Sequence, residues 1–305
     1  MRVKTILTFF LTSFFIFLLM VYFFIPLDEI DFVLKETNNN FTLNIEENNT
    51  MQFYPNMRFS TSNITYVISD CTVKKTEDMN RAFNIIQDST VLKFKKVDED
   101  GDISVLCDSS AKIEGGLYIA GEGGPSNVTQ TDLFNVISKG KILLFKDSNC
   151  PTPNIALHEL LHVLGFDHSK NKKNIMFPIS DCRQTIGEDT IEYINKIYSI
   201  PGYPDLVFED VKASFSGRYF DTQMQIMNQG LSSSGETEII IYGDGKVVKK
   251  FSLDEMDYGY GRVITLSNIW VLNKFDNVKF VINSTFEEID KNNNEAVMVI
   301  STSED

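Results

Sequence analysis

The stretch His158–His168, "HELLHVLGFDH", holds all three histidines of a 305-residue chain. Histidines serving general structural purposes would be scattered, so the clustering points to one local task that needs imidazole, and holding a metal ion is the leading one. On a helix, residues four apart share a face, so His158 and His162 can aim both rings at one ion. Leu160, Leu161, Val163 and Leu164 leave the other faces apolar for a core. Gly165 suits the left-handed residue that ends a helix, after which the chain can double back and deliver His168. Three neutral imidazoles with one position open describe a catalytic zinc site, because a structural site closes the fourth position with protein. Glu159, beside the first ligand, is a carboxylate able to take a proton from zinc-bound water. The bland alternative is core or surface histidines at coincidental spacing.

Outward from this stretch, "CPTPNIALHELLHVLG" reads as a short helix with Thr152 as cap and Pro153 in its first turn. After the tight turn "KNKKNIMFP", the run "GEDTIEYINKIYS" predicts a further helix with Ile191, Ile194 and Ile197 on one face and Glu188 and Asp189 at its acidic start. Asp167 reads as an exposed turn residue. Upstream, "NITYVISDC" alternates as a strand and "TEDMNRAFNIIQDSTVLKF" has helical spacing with Thr76 as candidate cap. "DGDISVLCD" then makes a second strand. Strand, helix, strand predicts a parallel pair with a right-handed crossover. Cys71 and Cys107 then sit past the same ends of neighbouring strands, close enough to bridge. Strand-like "GGLYIAG" and "KILLFKD" follow, parted by the loop "EGGPSNVTQ". Leu117, Tyr118, Ile119 and Ala120 are candidates for an edge that pairs with an extended substrate backbone; an ordinary solvated edge strand is the competing reading.

The N-terminal run Ile6–Ile25 carries no charge, and such a helix reaches about 30 Å, the hydrocarbon thickness of a bilayer. Arg2 and Lys4 precede it while Asp28, Glu29 and Asp31 follow, so the expectation is a single-pass cell-membrane anchor with the N-terminus cytoplasmic and the rest outside. A cleaved signal peptide, giving a secreted protein, is the alternative; its apolar region is usually about 7 to 15 residues long. Residues 27–60, Asn-rich and aperiodic, read as a linker or stalk, with a regulatory pro-segment as the other possibility. Sequons stand at Asn40, Asn48, Asn63, Asn127 and Asn283. The formal charge of −14 with no basic cluster argues against a nucleic-acid partner.

Beyond "IPGYPD" helical periodicity disappears. Alternating runs parted by Gly, Asn and Asp turns, including "GDG" within "IIIYGDGKVVKK", predict an all-β sandwich over residues 202–305. The sole tryptophan, Trp270, is expected in its core. The run "DKNNNE" could hold calcium but lacks the spacing of an EF-hand loop, and a solvated turn is the preferred reading.

"HELLHVLGFDHSKNKKNIMFP" resembles the metzincin zinc-peptidase pattern, HExxHxxGxxH followed by a Met-turn, and looks most like its matrixin branch. Ser169 and "IMFP" occupy the branch's positions, which makes Met176 the Met-turn residue. The likeness extends from about Thr65 to Tyr198. It implies an α+β domain with a mixed twisted sheet and an active-site helix over residues 61–201; the transmembrane helix at 1–26 rests on the apolar run alone. It also implies one catalytic zinc on His158, His162 and His168, and hydrolysis of protein or peptide substrates by zinc-activated water with Glu159 as general base. Calcium is the second cation that the resemblance allows. No further histidine is left for a second, structural zinc, and no "PRCGVPD"-like switch precedes the domain.

The four cysteines agree with an oxidising compartment and allow three connectivities. Cys71 with Cys107 and Cys150 with Cys182 are the proposed bridges, on the reading of the strands. The distal run from "PDLVFEDVKASF" through "MNQG" to "IDKNNNEAVMV" resembles the cell-adhesion-related domain of bacterial and archaeal surface proteins, an Ig-like or fibronectin-like sandwich. Two functions follow: a membrane-anchored extracytoplasmic zinc endopeptidase, or a surface adhesion protein whose zinc domain is inactive or structural. Glu159 favours the enzyme, since a site kept only for binding zinc needs no base beside its ligand.

Overall fold

The computed structural model describes residues 2–24, 29–37, 51–110 and 112–301. Helix α1, Arg2–Phe24, exposes the large apolar side chains described in it, from Ile6 to Met20, Phe9 and Phe10 among them. Its described side chains, those of residues 5–20, cover about 24 Å at 1.5 Å per residue. Among the described residues no helix is long and apolar enough to cross a membrane.

The next element corrects the stalk expected over residues 27–60. Glu29–Thr37 is strand β1, and it belongs to the distal sandwich. Phe32 is its anchor, buried with its ring 5.7 to 6.2 Å from those of Phe215, Phe220 and Phe275. Polar surroundings hid this strand, whose partners lie far along the chain. Residues 38–50, with Asn40 and Asn48, lie outside the described residues. The other end of the expected stalk is also structured: β2, Met57–Phe59, is wholly buried, so the motif domain starts before residue 61.

In that domain follow β3 (Asn63–Ser69), α2 (Val73–Ser89), β4 (Lys93–Lys96), β5 (Ile103–Cys107), β6 (Lys112–Glu114), β7 (Leu117–Ile119), β8 (Gly121–Gln130), β9 (Asn135–Leu144), α3 (Asn154–Val163) and α4 (Glu188–Ile197). Strands β4, β3, β5 and β9 are neighbours in that order and parallel; β2, at Asn135–Ile137, and β5, at Gly140–Leu144, share one flank of β9, and β8 pairs antiparallel along the other. The expected β3–α2–β5 parallel pair is present, Tyr66 standing opposite Ile103. Three local readings change. Thr72, not Thr76, caps α2 by accepting from Lys75 N. "VLKF" leaves that helix to form β4, because Thr90 at the C-cap returns to extended backbone. "EGGPSNVTQ" is strand β8, not loop: β9 supplies its ladder despite the glycines.

One core lies between the sheet and the helices, with Met79, Ala82, Phe83 and Ile86 of α2 and Leu157, Leu160, Leu161 and Val163 of α3 fully buried. Disulfides join Cys71 to Cys107 and Cys150 to Cys182. The first lies beside the buried ammonium of Lys75, which donates to the carbonyls of Asp108, Leu144 and Phe145.

The sandwich comprises β10 (Leu206–Ser216), β11 (Tyr219–Asn228), β12 (Thr237–Gly243), β13 (Lys246–Leu253), β14 (Gly261–Trp270), β15 (Asn277–Asn283) and β16 (Glu295–Ile300). Its strand order is β13-β12-β15-β16-β1-β10-β11-β14. β1 belongs to both layers, pairing with β10 through Glu29–Asp31 and with β16 from Phe32 on. Asp244 and Gly245, both at positive φ, make the tight turn read from "GDG". Trp270 is 58% exposed, against the expectation of core. An irregularity between Phe220 and Thr222 sets Ile269, not Trp270, inward, with Asn268 at φ 60° in the extra stretch of β14.

The two domains meet where the β8–β9 turn inserts Phe134 among Leu231, Ile200, Tyr258 and Ile289. Gln229 donates to Asp132 across the same contact.

Candidate metal centre

α3 presents Glu159 and His162 buried and His158 half-buried, as a helix packed on the sheet must do for residues on its inner side. Its start differs from expectation: Pro153 is the N-cap residue and no side chain caps it, while the Thr152 carbonyl accepts from Asn154 N. Gly165, at φ 96°, turns the chain as the motif requires. Met51 and Phe53 then clamp the return segment, Phe53 N donating to Gly165 O and Met51 O accepting from Asp167 N. The Phe53 ring stacks on His162 at 5.6 Å. This support by residues 51–53 was not legible in the sequence, which placed them in a stalk.

His162 Nε2 lies 3.0 Å from His158 Nε2 and 3.2 Å from His168 Nε2. Two of the three remaining nitrogens are committed: His158 Nδ1 lies 2.7 Å from Ile175 O and His162 Nδ1 2.7 Å from Phe166 O. A carbonyl can only accept, so both rings carry their proton on Nδ1 and turn the Nε2 lone pair to the common point. Burial depresses the pKa of His158, and burial with the neighbouring His158 pushes that of His162 down to about 4, so both rings are neutral at neutral pH. Convergent, neutral imidazole lone pairs repel one another unless a cation sits between them. This donor set therefore fits zinc. Among the described residues, these three form the group of His, Cys, Asp or Glu donors that converges in this way.

Ile175 belongs to the turn before Met176, and Met176 is fully buried while its carbonyl accepts from Ser169 N. The turn at Ile175 and Met176 thus ties the first histidine to the segment after the third. Cys150–Cys182 and the Asn154 Nδ2 bond to Asp181 O, 2.7 Å, hold the following loop against the start of α3.

Glu159 is 6% exposed. Burial, with Glu122 nearby, pushes its carboxyl up to about 8. Two glycines of β8 make its place: a Cβ on Gly121 would stand 2.9 Å from Glu159 Oε1, and one on Gly123 2.3 Å from Glu159 O. The open space before the histidines is a cleft of about 660 Å³ between Tyr118–Gly123 on one side and Phe177–Ser180 on the other.

Of the expected substrate edge, Leu117–Ile119 is β7, already paired with β6. Tyr118, Ile119 and Ala120 line the cleft, but the outer edge of the main sheet starts one residue later, at Gly121, because β9 occupies only one flank of β8. Asp167 is exposed and accepts from its neighbour His168 N, and Glu188 and Asp189 are exposed at the start of α4. The "DKNNNE" turn is folded onto the sandwich: Asn293 donates to Asp205, and Asn294 and Leu206 N to Glu288.

Residues 58–199 match the family model Matrixin, and residues 203–298 match the family model CARDB. Among curated proteins, the chain is similar to macrophage metalloelastase of Oryctolagus cuniculus, 34% identical over 134 residues, covering 38% of this chain and 27% of that protein. The chain therefore spans little more than a quarter of that relative's length. Among solved structures, it is similar to the CARDB domain of a Pyrococcus furiosus protein in complex with di-metal ions. That likeness has 17% identity and a TM-score of 0.27, and covers 32% of this chain and 93% of that one.

Proposed function

From a chain that carries a matrixin domain followed by a CARDB domain, we propose a membrane-anchored, extracytoplasmic zinc endopeptidase. One observation carries the reading: a buried carboxylate, Glu159, adjoins three imidazoles whose Nε2 atoms converge beside an open cleft. His158, His162 and His168 hold the ion, which when bound supplies Lewis acidity to a water and to the scissile carbonyl. Glu159 accepts the proton of the attacking water and returns it to the leaving amine. Without a cation its burial favours the protonated form; a dication beside it favours the carboxylate that a base needs. An extended substrate pairs with the free edge of β8 from Gly121, and β7 shapes the wall beside it.

Anchoring is supported by the uncharged run Ile6–Ile25, by the exposed apolar side chains of α1, and by Arg2 and Lys4 before it. Two disulfides agree with an oxidising compartment.

The test is zinc content and casein cleavage by the full chain in detergent, beside Glu159→Ala. Both proteins should hold zinc and only the wild type should cut. Zinc in both without cleavage by either would favour the adhesion reading, and zinc in neither would remove the metal centre.

A further inference from the structure

The chain enters the sandwich from α1, and topology decides which end of the sandwich that is. Phe24 ends α1 and Glu29 opens β1; whatever their conformation, the intervening peptide units reach at most about 18 Å. Glu29 pairs with Ser216, the last residue of β10. The first residue of β10, Leu206, pairs with Asn228, whose turn adjoins the matrixin domain through Gln229 and Leu231. At about 3.4 Å per residue, the length of β10 separates the two ends by roughly 35 Å.

The α1 end carries a group of exposed apolar and aromatic side chains. Tyr219 and Trp270 are cross-strand partners, 38% and 58% exposed, and Leu272 beyond them is 64% exposed. Arg218 and Lys274 are exposed beside them, and Val271 N donates to Arg218 O, which joins the two loops. Acids at this end include Glu29, Asp31, Asp244 and Asp276. Asp244 is engaged with the backbone of Asp276 and Asn277. Local charge is thus mixed, and what the end offers a partner is apolar and aromatic surface. Tyrosine and tryptophan with a flanking aliphatic side chain and cations match the layer of lipid headgroups, where one end of each ring is apolar and the other wet.

We propose that Tyr219, Trp270 and Leu272 rest in the lipid headgroup layer, so that the sandwich stands on the membrane and holds the cleft at its far end. The proposal rests on the anchor reading, because α1 brings this end of the sandwich to the bilayer.

Trp270 is the sole tryptophan of the chain, and α1 contains none, so its fluorescence reports on this patch alone. The full chain is reconstituted into phosphatidylcholine vesicles with or without bromine atoms on the acyl chains near the headgroup. The expected result is flotation with the vesicles, blue-shifted emission, and at least twofold quenching by the brominated lipid. Leu272→Asp should float equally and lose most of the quenching. Flotation with unshifted, unquenched emission overturns the proposal and leaves the anchor standing. A blue shift that brominated lipid does not quench and that dilution reverses overturns it in favour of a second copy on the patch. Failure to float removes the anchor reading and this proposal with it.

Discussion

Gly121→Ala displaces the proposed base without touching a metal ligand. The new Cβ would lie 2.8 Å from Glu159 Cγ, 2.9 Å from Oε1 and 3.0 Å from Cδ, where ordinary contact begins at 3.4 Å. Gly121 is not at positive φ, so alanine is acceptable to its backbone and the whole conflict falls on the carboxylate, which must retreat by about half an ångström. A misplacement of about 1 Å at an active site lowers the rate by about 10²-fold. Half that distance predicts a fall in kcat of about 10-fold, against about 10²- to 10⁴-fold for loss of general acid–base catalysis outright. Overpacking lowers stability by about 1 to 3 kcal/mol, and the stiffer unfolded chain offsets about 0.4 to 1 of it. The assay measures kcat on a peptide cut by the wild type, zinc by atomic absorption, and the urea midpoint. Unchanged kcat in a folded, zinc-loaded variant would refute the reasoning, since Glu159 would then either not be held by β8 or not be needed where it stands. Zinc loss would show that the effect ran through the histidines instead.

Three further outcomes are expected. In the metal-free protein Glu159 has a raised pKa of about 8, so the native state keeps a proton that the unfolded chain has released above about pH 4.5. Stability from this group therefore falls as pH rises towards 8. His162, lowered to about 4, acts oppositely but only up to its unfolded value of 6.5, so Glu159→Gln should abolish a decline in melting temperature between pH 6.5 and 8; an unaltered decline would assign it elsewhere. Replacing either disulfide by serines opens a loop of 36 or 32 residues and should lower stability by about 3 to 4 kcal/mol in the loop-entropy model, read by urea unfolding. A loss below about 1 kcal/mol would contradict that model here. Phe134→Ala empties the contact between the domains and should destabilise by about 3 kcal/mol or more; a neutral result would mean that the β8–β9 turn does not dock on the sandwich.

The histidine cluster of the candidate metal centre was legible in the sequence, because its geometry is local. His158 and His162 share a helical face, Gly165 takes the one backbone conformation that ends the helix there, and His168 follows within a single turn. The β3–α2–β5 unit and the Cys71–Cys107 bridge were legible for a similar reason: a period of alternation and a crossover rule place neighbours without knowledge of the rest of the chain.

Features that depend on distant partners emerged in the folded chain alone. Glu29–Thr37 stands before an Asn-rich, aperiodic run and becomes a strand because Phe32 finds a cluster of phenylalanines more than 180 residues away. Gly121–Gln130 looks like loop and becomes the edge strand because β9 satisfies its backbone, and its glycines are what let α3 bring Glu159 so close. Trp270 faces solvent because an irregularity in β14 reverses the alternation that would have buried it. In each case the missing information was the identity of the partner, since burial and strand pairing are properties of two segments and a sequence pattern describes one.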